Sequence, residues 1–337
     1  MTKTILIITD NLPEQINGVV TTYTNIETHA VLDGYNFVVL HPGWFSYIDC
    51  PGYNEVKIAY PRNMGKKIAS VNPDYIHIAT EGPLGLWARA YLSLADIRHN
   101  TAYHTKFPEG LRKLFGIPES LTWRFVRWFH KHSGKVLTTT DSMVKELQAH
   151  GFSGEVIPWT RGVDRDIFYP PVKKQITKRP ILLCVARVSK EKNLEDFFKL
   201  DYTGARKIMV GDGPMLEKYK KQYPAVEFVG FKTGKDLAEY YRMADVFVFP
   251  SQWETFGIVM IEAMACGTPV AAYPVQGPED VIDEGITGCM NSDLKQATKD
   301  ALMLNRQRVW EGSYRWTWER AWIIFRDNLL EAKPATK

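Results

Sequence analysis

Residues 246–273 read VFVFPSQWETFGIVMIEAMACGTPVAAY and decide the fold class. VFVF is a short aromatic and β-branched run, which is typical of a buried strand. A largely apolar helical stretch follows, and the Gly-Thr-Pro after it leads into a second apolar run, PVAAY. Strand, helix and strand in this order predict a βαβ unit on a parallel sheet. The stretch also carries two carboxylates, Glu254 and Glu262, which are unusual among so many apolar residues.

The same alternation of strands and helices runs through the rest of the chain. The predicted strands are TILIITD, NFVVLHP, PDYIHIAT, KVLTTT and GEVIPWT in the first half, and PILLCVAR, ARKIMVGDG, VEFVGF, VFVFPS and PVAAYPV in the second. Residues 161–180, between the two series, are rich in proline and charge, which predicts a linker. A chain of 337 residues fits two domains. We therefore predict an α/β protein of two Rossmann-like domains, residues 1–168 and 169–312, with parallel sheets facing across a cleft.

Composition narrows the class of protein. The four cysteines are far apart and form no C-x-x-C pair, so we expect reduced thiols and a cytoplasmic protein. The N-terminus has too short an apolar run for a signal peptide, and no stretch of about 18 apolar residues predicts a membrane span. The net charge of +4 is mild, but residues 98–135 carry eight Lys and Arg against two Asp and Glu. The basic charge is therefore local.

In parallel α/β sheets, ligands bind beyond the carboxyl ends of the strands, so these ends are the places to search for a site. The chain has no G-x-G-x-x-G fingerprint, which disfavours a dinucleotide dehydrogenase. GFKTGKD at residues 230–236 is one residue too short for a P-loop and has Asp where Ser or Thr should bind magnesium. A different kind of phosphate site is therefore expected.

The segment after VFVF offers such a site. If a helix begins near Phe256, the amides of Phe256, Gly257 and Ile258 are unpaired donors that favour an anion. Glu254 lies just before this helix and Glu262 lies within it, and carboxylates are good acceptors for the paired hydroxyls of sugars. Alternatively, Glu254 caps the helix and Glu262 pairs with a basic residue.

Other predicted strand ends supply complementary groups. Arg187 ends a strand and Lys192 follows five residues later, a pair that could clamp a diphosphate or simply be surface charge. Gly211 opens the tight turn GDGP, for which we expect a role in shaping the cleft. Gly18 opens the first helix and offers further bare amides. His104 lies at a strand end, where it either faces the cleft or is a structural histidine.

With these residues in place, the chain resembles a family-4 glycosyltransferase of the GT-B fold over nearly its whole length. The most specific feature is the E-x7-E pattern from Glu254 to Glu262, embedded in E-T-F-G and E-A-M-A-C-G-T-P-V. A-R-x-x-x-E-K-N, G-D-G-P and R-G-V-D follow the family's order and spacing. Asn17-Gly18 replaces the Gly-Gly of many relatives, but N-G-V is familiar in the mannosyl- and sulfoquinovosyl-transferring branches.

The resemblance implies a nucleoside diphosphate sugar as donor. It assigns donor binding to Gly18, Arg187, Lys192, Gly211, Phe231, Glu254, Phe256, Gly257, Ile258 and Glu262. Within this set, Arg187 and Lys192 would bind the diphosphate, Glu262 the ribose and Glu254 the transferred sugar, while His104 would contact the sugar near the reacting carbon. His104, Glu254, Arg187 and Lys192 are thus the predicted catalytic residues. A UDP-sugar is favoured as donor, with GDP-mannose as the alternative.

The resemblance also implies retention of anomeric configuration, by front-face attack in which the departing phosphate helps to deprotonate the acceptor. Arg187 and Lys192 would then stabilise charge on the leaving group. A double displacement would instead need a carboxylate nucleophile, for which Glu254 is the candidate. No metal or cofactor is expected, because the D-x-D match at residues 164–166 lies in the predicted linker, inside the G-V-D-x-x-x-F pattern that this family carries without metal.

The acceptor is predicted from a basic, aromatic helix in PESLTWRFVRWFHKHSGK, residues 118–135. The predicted membrane and acceptor surface consists of Arg112, Lys113, Trp123, Arg124, Arg127 and Lys131. Such a face suits an anionic membrane, although an ordinary amphipathic helix with a solvated charged face would look similar. HPGWFSYIDCPGYNEVKIAYP and IATEGPLGLWARAY resemble the lipid-glycosylating branch, which includes diacylglycerol glycosyltransferases.

The sequence therefore predicts a peripheral enzyme at the cytosolic face of a membrane, which moves a hexose such as glucose, glucuronate or mannose onto a lipid such as diacylglycerol. The alternatives are a glycosyltransferase acting on polysaccharide, lipopolysaccharide or DNA, and a sugar-nucleotide epimerase of the same fold. A nucleic-acid partner is not expected, because a binding protein would need neither the glutamate pair nor the Arg187 and Lys192 pair. By resemblance, the C-terminal helix, residues 313–332, should cross back onto the N-terminal domain.

Overall fold

The computed structural model describes residues 2–15, 17–50, 53–104, 106–152, 154–173 and 179–332, which form two compact units. The first unit comprises the chain up to Arg161 and again from Trp318, and the second comprises Gly162–Thr317. Each has a six-stranded parallel sheet, so the predicted fold class is confirmed. No helix of the described residues is long and apolar enough to cross a bilayer.

The sheet of the first unit has the strand order β2-β1-β5-β6-β7-β8, and a two-stranded antiparallel hairpin, β3-β4, lies beside it. Its strands are β1 Thr4–Ile8, β2 Asn36–Leu40, β3 Ser46–Cys50, β4 Tyr53–Tyr60, β5 Tyr75–Ile78, β6 Asn100–Tyr103, β7 Lys135–Thr138 and β8 Glu155–Pro158. Its helices are α1 Gly18–Leu32, α2 Met64–Val71, α3 Pro83–Leu94, α4 Phe107–Phe115, α5 Glu119–His130 and α6 Asp141–Ala149. The sequence analysis did not predict the hairpin.

The sheet of the second unit has the order β11-β10-β9-β12-β13-β14, the doubly wound order of dinucleotide-binding domains. Its strands are β9 Ile181–Val185, β10 Arg206–Val210, β11 Val226–Phe228, β12 Val246–Phe249, β13 Val270–Ala272 and β14 Gly288–Met290. Its helices are α7 Leu194–Lys199, α8 Leu216–Gln222, α9 Gly234–Met243, α10 Ile258–Ala265, α11 Pro278–Val281, α12 Leu294–Ala301 and α13 Arg306–Gly312. Strands β9 and β12 are buried along their whole length, as expected between two helical layers.

The last helix, α14 (Trp318–Asp327), packs on the first unit. Trp322 and Phe325 are buried in the core of that unit, where Trp159 Nε1 donates a 2.9 Å hydrogen bond to the carbonyl of Ala321. Trp322 Nε1 donates at 2.6 Å to Oδ2 of Asp33, the C-cap residue of α1. The return of the chain therefore completes the first core.

The boundaries between the units differ from those predicted. The first change of unit falls after Arg161 and not after residue 168, because Val163 and Phe168 are buried in the core of the second unit. The second falls before Trp318 and not at Ser313, because Ser313 is fully buried and its carbonyl accepts a hydrogen bond from Arg165 within the second unit. Proline and charge mark the connection but do not locate its end.

Candidate functional site

In the second unit, the strand order reverses between β9 and β12, and seven of the ten predicted donor residues follow these two strands. A crevice at such a switch point is the usual ligand site of an open α/β sheet. The loop after β9 brings Lys192 to the segment after β12, where Lys192 Nζ lies 2.8 Å from Glu254 Oε2. Arg187, earlier in the same loop, is exposed. The structure therefore joins two of the predicted catalytic residues in one ion pair.

This ion pair is partly shielded from solvent, with 25% of the Lys192 side chain and 21% of the Glu254 side chain exposed. Burial works against the charge on Lys192, but the nearby Glu254 and Glu191 outweigh it, so the pKa of Lys192 is raised. Lys192 is therefore held as a cation at neutral pH. The alternative in which Glu254 caps the next helix is wrong, because no side chain caps α10.

The GDGP turn packs against the loop that carries Arg187. Gly211 and Gly213 have φ angles of 144° and 157°, and a Cβ added at Gly211 would lie only 1.9 Å from the carbonyl oxygen of Ala186. Val188 N donates to the carbonyl of Asp212 at 2.8 Å, which ties the two loops together. Only glycine permits this close approach of two backbones. Gly211 thus allows the two loops to lie against each other, and its role in the donor site stays a prediction.

Helix α10 begins at Ile258, two residues later than predicted, with Gly257 as its N-cap at a φ of 84°. The later start follows from Gly257, whose positive φ lies outside the helical region, and the ring of Phe256 before it is buried edge-on against Trp316 at 5.2 Å. A Cβ on Gly257 would lie 2.7 Å from Met260 Cε. The amides at this helix start have no side-chain cap, as an anion site requires.

Glu262 lies in the second turn of α10, and its partner is a neutral group. Tyr241 Oη on α9 donates to Glu262 Oε2 at 2.9 Å, so the alternative of an ion pair with a basic residue is wrong. Glu262 stays partly exposed, but burial of its carboxyl raises the pKa of Glu262 to about 7, against the opposing effect of the Tyr241 hydrogen bond. Glu262 is therefore poised between the neutral and ionised forms near pH 7.

Phe231 follows β11 and is 45% exposed. The residue before it, Gly230, accepts a 2.9 Å hydrogen bond from Gly211 N, so the aromatic ring lies on the segment next to the GDGP turn. An exposed ring in this position can stack on a planar ligand group. Its predicted place near a nucleotide base stays a prediction.

In the first unit, the helix start at Gly18 differs from the prediction of bare amides. Asn17 Oδ1 accepts hydrogen bonds from the amides of Val19 and Val20, both at 3.0 Å. Asn17 Nδ2 in turn donates to Asn11 Oδ1 at 3.0 Å, which holds the cap in place. Asparagine is a strongly preferred N-cap residue, so Asn17 in the sequence already indicated that the amides of this helix start would be capped. The prediction of uncapped amides here was therefore wrong.

His104 is buried, and both of its ring nitrogens have partners. Arg161 Nη2 donates to Nδ1 at 2.9 Å, and Nε2 lies 3.1 Å from Tyr23 Oη. Because an arginine can only donate, Nδ1 must accept, and the proton of the neutral ring is on Nε2, which donates to Tyr23 Oη. The same hydroxyl is hydrogen-bonded to His77 Nε2 at 2.8 Å. Burial, with Arg161 adding to it, holds the pKa of His104 well below its usual value. His104 is therefore a neutral member of a four-residue chain.

Two acidic residues at the strand ends of the first unit were missed. Asp10, after β1, accepts from Leu84 N at 2.6 Å and from Thr80 Oγ1 at 2.7 Å, so it caps α3, and burial raises the pKa of Asp10. Glu81, after β5, is buried with its Oε1 3.4 Å from His130 Nε2. Their position after predicted strands was a signal, but the sequence does not show which strand-end carboxylates are buried.

Two family models together match most of the chain. One, described as Glycosyltransferase Family 4, matches residues 16–167, and the other, described as Glycosyl transferases group 1, matches residues 168–301. The chain is a glycosyltransferase of the GT-B fold. The predicted family is therefore confirmed, and both halves of the donor motif set lie inside the matched ranges.

Individual relatives agree with this assignment. A GDP-mannose-dependent alpha-mannosyltransferase of Mycobacterium tuberculosis is 27% identical over 97% of this glycosyltransferase and 95% of its own length. An alpha-monoglucosyldiacylglycerol synthase of Streptococcus pneumoniae is 26% identical over 88% of this chain and 77% of its own. Among solved structures, the sucrose-phosphate synthase of Thermosynechococcus elongatus has a TM-score of 0.80 at 19% identity, covering 96% of this chain and 98% of the other. That structural likeness shows the fold alone.

The basic helix of the glycosyltransferase, α5, presents a different face from the one predicted. Trp123 is 3% exposed and stacks on His150 with ring centroids 3.8 Å apart, so its assignment to the membrane surface was wrong. Arg127 is half-buried, because its Nη1 donates to the carbonyl of His150 at 2.9 Å. Contacts with His150 therefore withdraw Trp123 fully, and Arg127 partly, from the predicted surface.

The exposed side of α5 combines charge with large apolar side chains. We call this set the α5 stripe: it comprises Leu121, Arg124 and Trp128 on the helix, Ile117 just before it and Lys131 at its C-cap. Leu121 and Trp128 are 54% and 48% exposed, and the guanidinium of Arg89 lies 3.9 Å from the Trp128 ring centroid. Arg112 is exposed and pairs with Glu119 at 2.8 Å, whereas the side chain of Lys113 lies outside the described residues. Arg124 and Lys131 are thus the predicted cations that lie on this face.

Proposed function

We propose that this glycosyltransferase moves a hexose from a nucleoside diphosphate sugar to a membrane lipid such as diacylglycerol, with retention of configuration and without a metal. The observation that carries the donor half is the Lys192 and Glu254 ion pair at the switch point of the second sheet. A diphosphate needs a cation and uncapped amides, and a sugar needs a carboxylate. The loops after β9 and β12 supply all three.

In the proposed mechanism, the diphosphate takes the place of Glu254 as the partner of Lys192, and Glu254 turns to the sugar hydroxyls. Arg187 and Lys192 then stabilise the charge that develops on the leaving phosphate. The raised pKa of Lys192 favours this role, because the cation is present before the donor binds. Glu262 would hold the ribose, and Phe231 would contact the base.

One feature of the first unit favours attack assisted by the leaving group. His104 is a poor general base, because its Nδ1 accepts from Arg161 and its pKa is low. The departing phosphate is then left to accept the proton of the acceptor hydroxyl. Activity should survive EDTA, and loss on chelation would count against the proposal.

The lipid acceptor is supported by the name of the Streptococcus pneumoniae relative and by the α5 stripe. Apolar side chains flanked by cations on one helix face suit insertion into the headgroup layer of an anionic bilayer. A peripheral position at the cytosolic face of a membrane follows as part of the proposal. The proposed donor is a UDP-sugar, with GDP-mannose as the alternative because the Mycobacterium tuberculosis relative is GDP-mannose-dependent.

The test is nucleotide release from UDP-glucose, UDP-glucuronate and GDP-mannose without metal, with and without anionic liposomes that contain diacylglycerol. Lipid-stimulated release from one donor, lost in Glu254→Ala, is the expected result. A parallel flotation assay should show that Arg124→Glu with Trp128→Ala detaches the protein from liposomes, whereas Met303→Ala, an exposed apolar residue of the second unit, does not. Release that is indifferent to lipid would refute the lipid acceptor.

A further inference from the structure

Tyr241 is fully buried on α9, and its ring is held edge-on between Phe247 at 5.6 Å and Phe168 at 6.0 Å. Its backbone is fixed as well, because Thr268 Oγ1 donates to the carbonyl of Tyr241 at 2.6 Å. The hydroxyl has therefore little freedom to move. From this position it donates to Glu262 Oε2 at 2.9 Å.

We propose that Tyr241 is a positioning residue for nucleotide binding, which holds the Glu262 carboxylate in its ionised, ribose-accepting form. The inference rests on the proposed function, in which Glu262 binds the ribose of the donor. A carboxylate that already accepts a hydrogen bond on Oε2 presents Oε1 in a fixed direction. Only the ionised form accepts with both oxygens, since a protonated carboxyl uses one oxygen as a donor.

Among the groups around Glu262, Tyr241 is the one that favours the ionised carboxylate. Burial raises the pKa of Glu262, and the Tyr241 hydrogen bond is the effect that opposes it. The neighbouring thiols, Cys266 at the C-cap of α10 and Cys184 on β9, are buried with raised pKa values and stay neutral.

The arginines of the elements around α10 have other partners. Arg242 on α9 pairs with Glu239, Arg306 on α13 donates to the carbonyls of Ala244 and Cys266, and Arg315 pairs with Asp283. The hydroxyl of Tyr241 is therefore the group that hydrogen-bonds to the Glu262 carboxylate among these described side chains.

The consequence is a nucleotide affinity that rises with pH through about 7, where Glu262 ionises. Removal of the hydroxyl should raise the pKa of Glu262 by about one unit, the equivalent of one modest hydrogen bond. The ionised fraction at pH 7 would then fall from about one half to about one tenth, roughly a fivefold loss of affinity. At pH 9 the difference should nearly vanish.

The experiment measures the dissociation constants of UDP and GDP by calorimetry from pH 5.5 to 9. The variants are Tyr241→Phe, which keeps the buried ring, Tyr240→Phe, the matched control on the same helix, and Glu262→Gln. The nucleotide phosphates titrate in the same way with the wild type and with every variant. A difference between variants in the midpoint of affinity against pH therefore reports on Glu262. Thermal unfolding without nucleotide checks that each variant is folded.

The expected result is an upward shift of the midpoint in Tyr241→Phe, none in Tyr240→Phe, and a flat, weak profile in Glu262→Gln. In the double variant Tyr241→Phe with Glu262→Gln, the tyrosine change should add nothing. A loss of affinity in Tyr241→Phe that is the same at every pH would overturn the inference, since packing alone would then explain it. If Glu262→Gln bound nucleotide as the wild type does, the ribose role of Glu262 and the inference would both fail.

Discussion

Removal of one partner of the Lys192 and Glu254 ion pair should destabilise the protein, and removal of both should not. With Nζ and Oε2 2.8 Å apart and only about a quarter of each side chain exposed, Glu254→Gln leaves Lys192 as a largely buried, unpaired cation. Breaking a fully buried pair costs ~3–5 kcal/mol, so we expect about 2 kcal/mol for this partly exposed one. For a unit of this size, that lowers the Tm by roughly 4–8 °C.

The assay is a double-mutant cycle on the unliganded protein with Glu254→Gln, Lys192→Met and the double variant, followed by thermal and urea unfolding. The double variant should recover most of the stability lost in Glu254→Gln, because no charge is left without a partner. Its nucleotide release should nevertheless stay as low as in the single variants. Stability and activity are thereby separated.

Two results would contradict this reasoning. Additive losses of stability, with no coupling between the two positions, would show that the pair contributes no net interaction. Full activity in the stable double variant would show that the pair serves only the fold, and the proposed donor site would then lose its main support.

Three further predictions concern the framework of the site. Gly211→Ala should lower the free energy of unfolding by several kcal/mol and weaken nucleotide binding, because its Cβ would overlap the carbonyl of Ala186. The control Gly204→Ala, also at positive φ but with nothing within 4 Å, should cost only about 1 kcal/mol in urea unfolding, and equal losses in the two variants would rule out the overlap. Truncation after Ser313 should lower solubility and activity, and a fully active truncated protein would be evidence against a structural role for α14. Trp322→Ala alone should lower the free energy of unfolding by ~3–5 kcal/mol, because its side chain is buried in the first core. Burial lowers the pKa of His77 to about 3, so the neutral ring stabilises the fold above pH 6.5 and this contribution is lost as the pH falls from 6.5 towards 3. His77→Gln should therefore flatten the dependence of Tm on pH in this window, and an unchanged slope would contradict this prediction.

Much of the fold could be predicted because its signals are local. Each strand of the second sheet from β9 to β13 was named in advance, since an apolar run of four or five residues between turn signals has few other structures available. The segment from VFVF to PVAAY predicted the βαβ unit around the switch point, and the E-x7-E pattern placed both glutamates beside it. The family resemblance rested on the same contiguous motifs, and the family models confirmed it.

Tertiary structure decided what depends on contacts between distant residues. Lys192 meets Glu254 across 62 positions, and Arg161 reaches His104 across 57, distances over which no spacing rule operates. Trp123 was predicted to belong to the membrane and acceptor surface around α5, but its stacking on His150 buries it. Phe256, which was predicted to open α10, lies before the helix and packs against Trp316, 60 positions away. The sequence by itself thus determined the elements and the chemical groups at the strand ends, whereas packing determined which of these groups are buried, paired or neutral, because burial and pairing are properties of the assembled core.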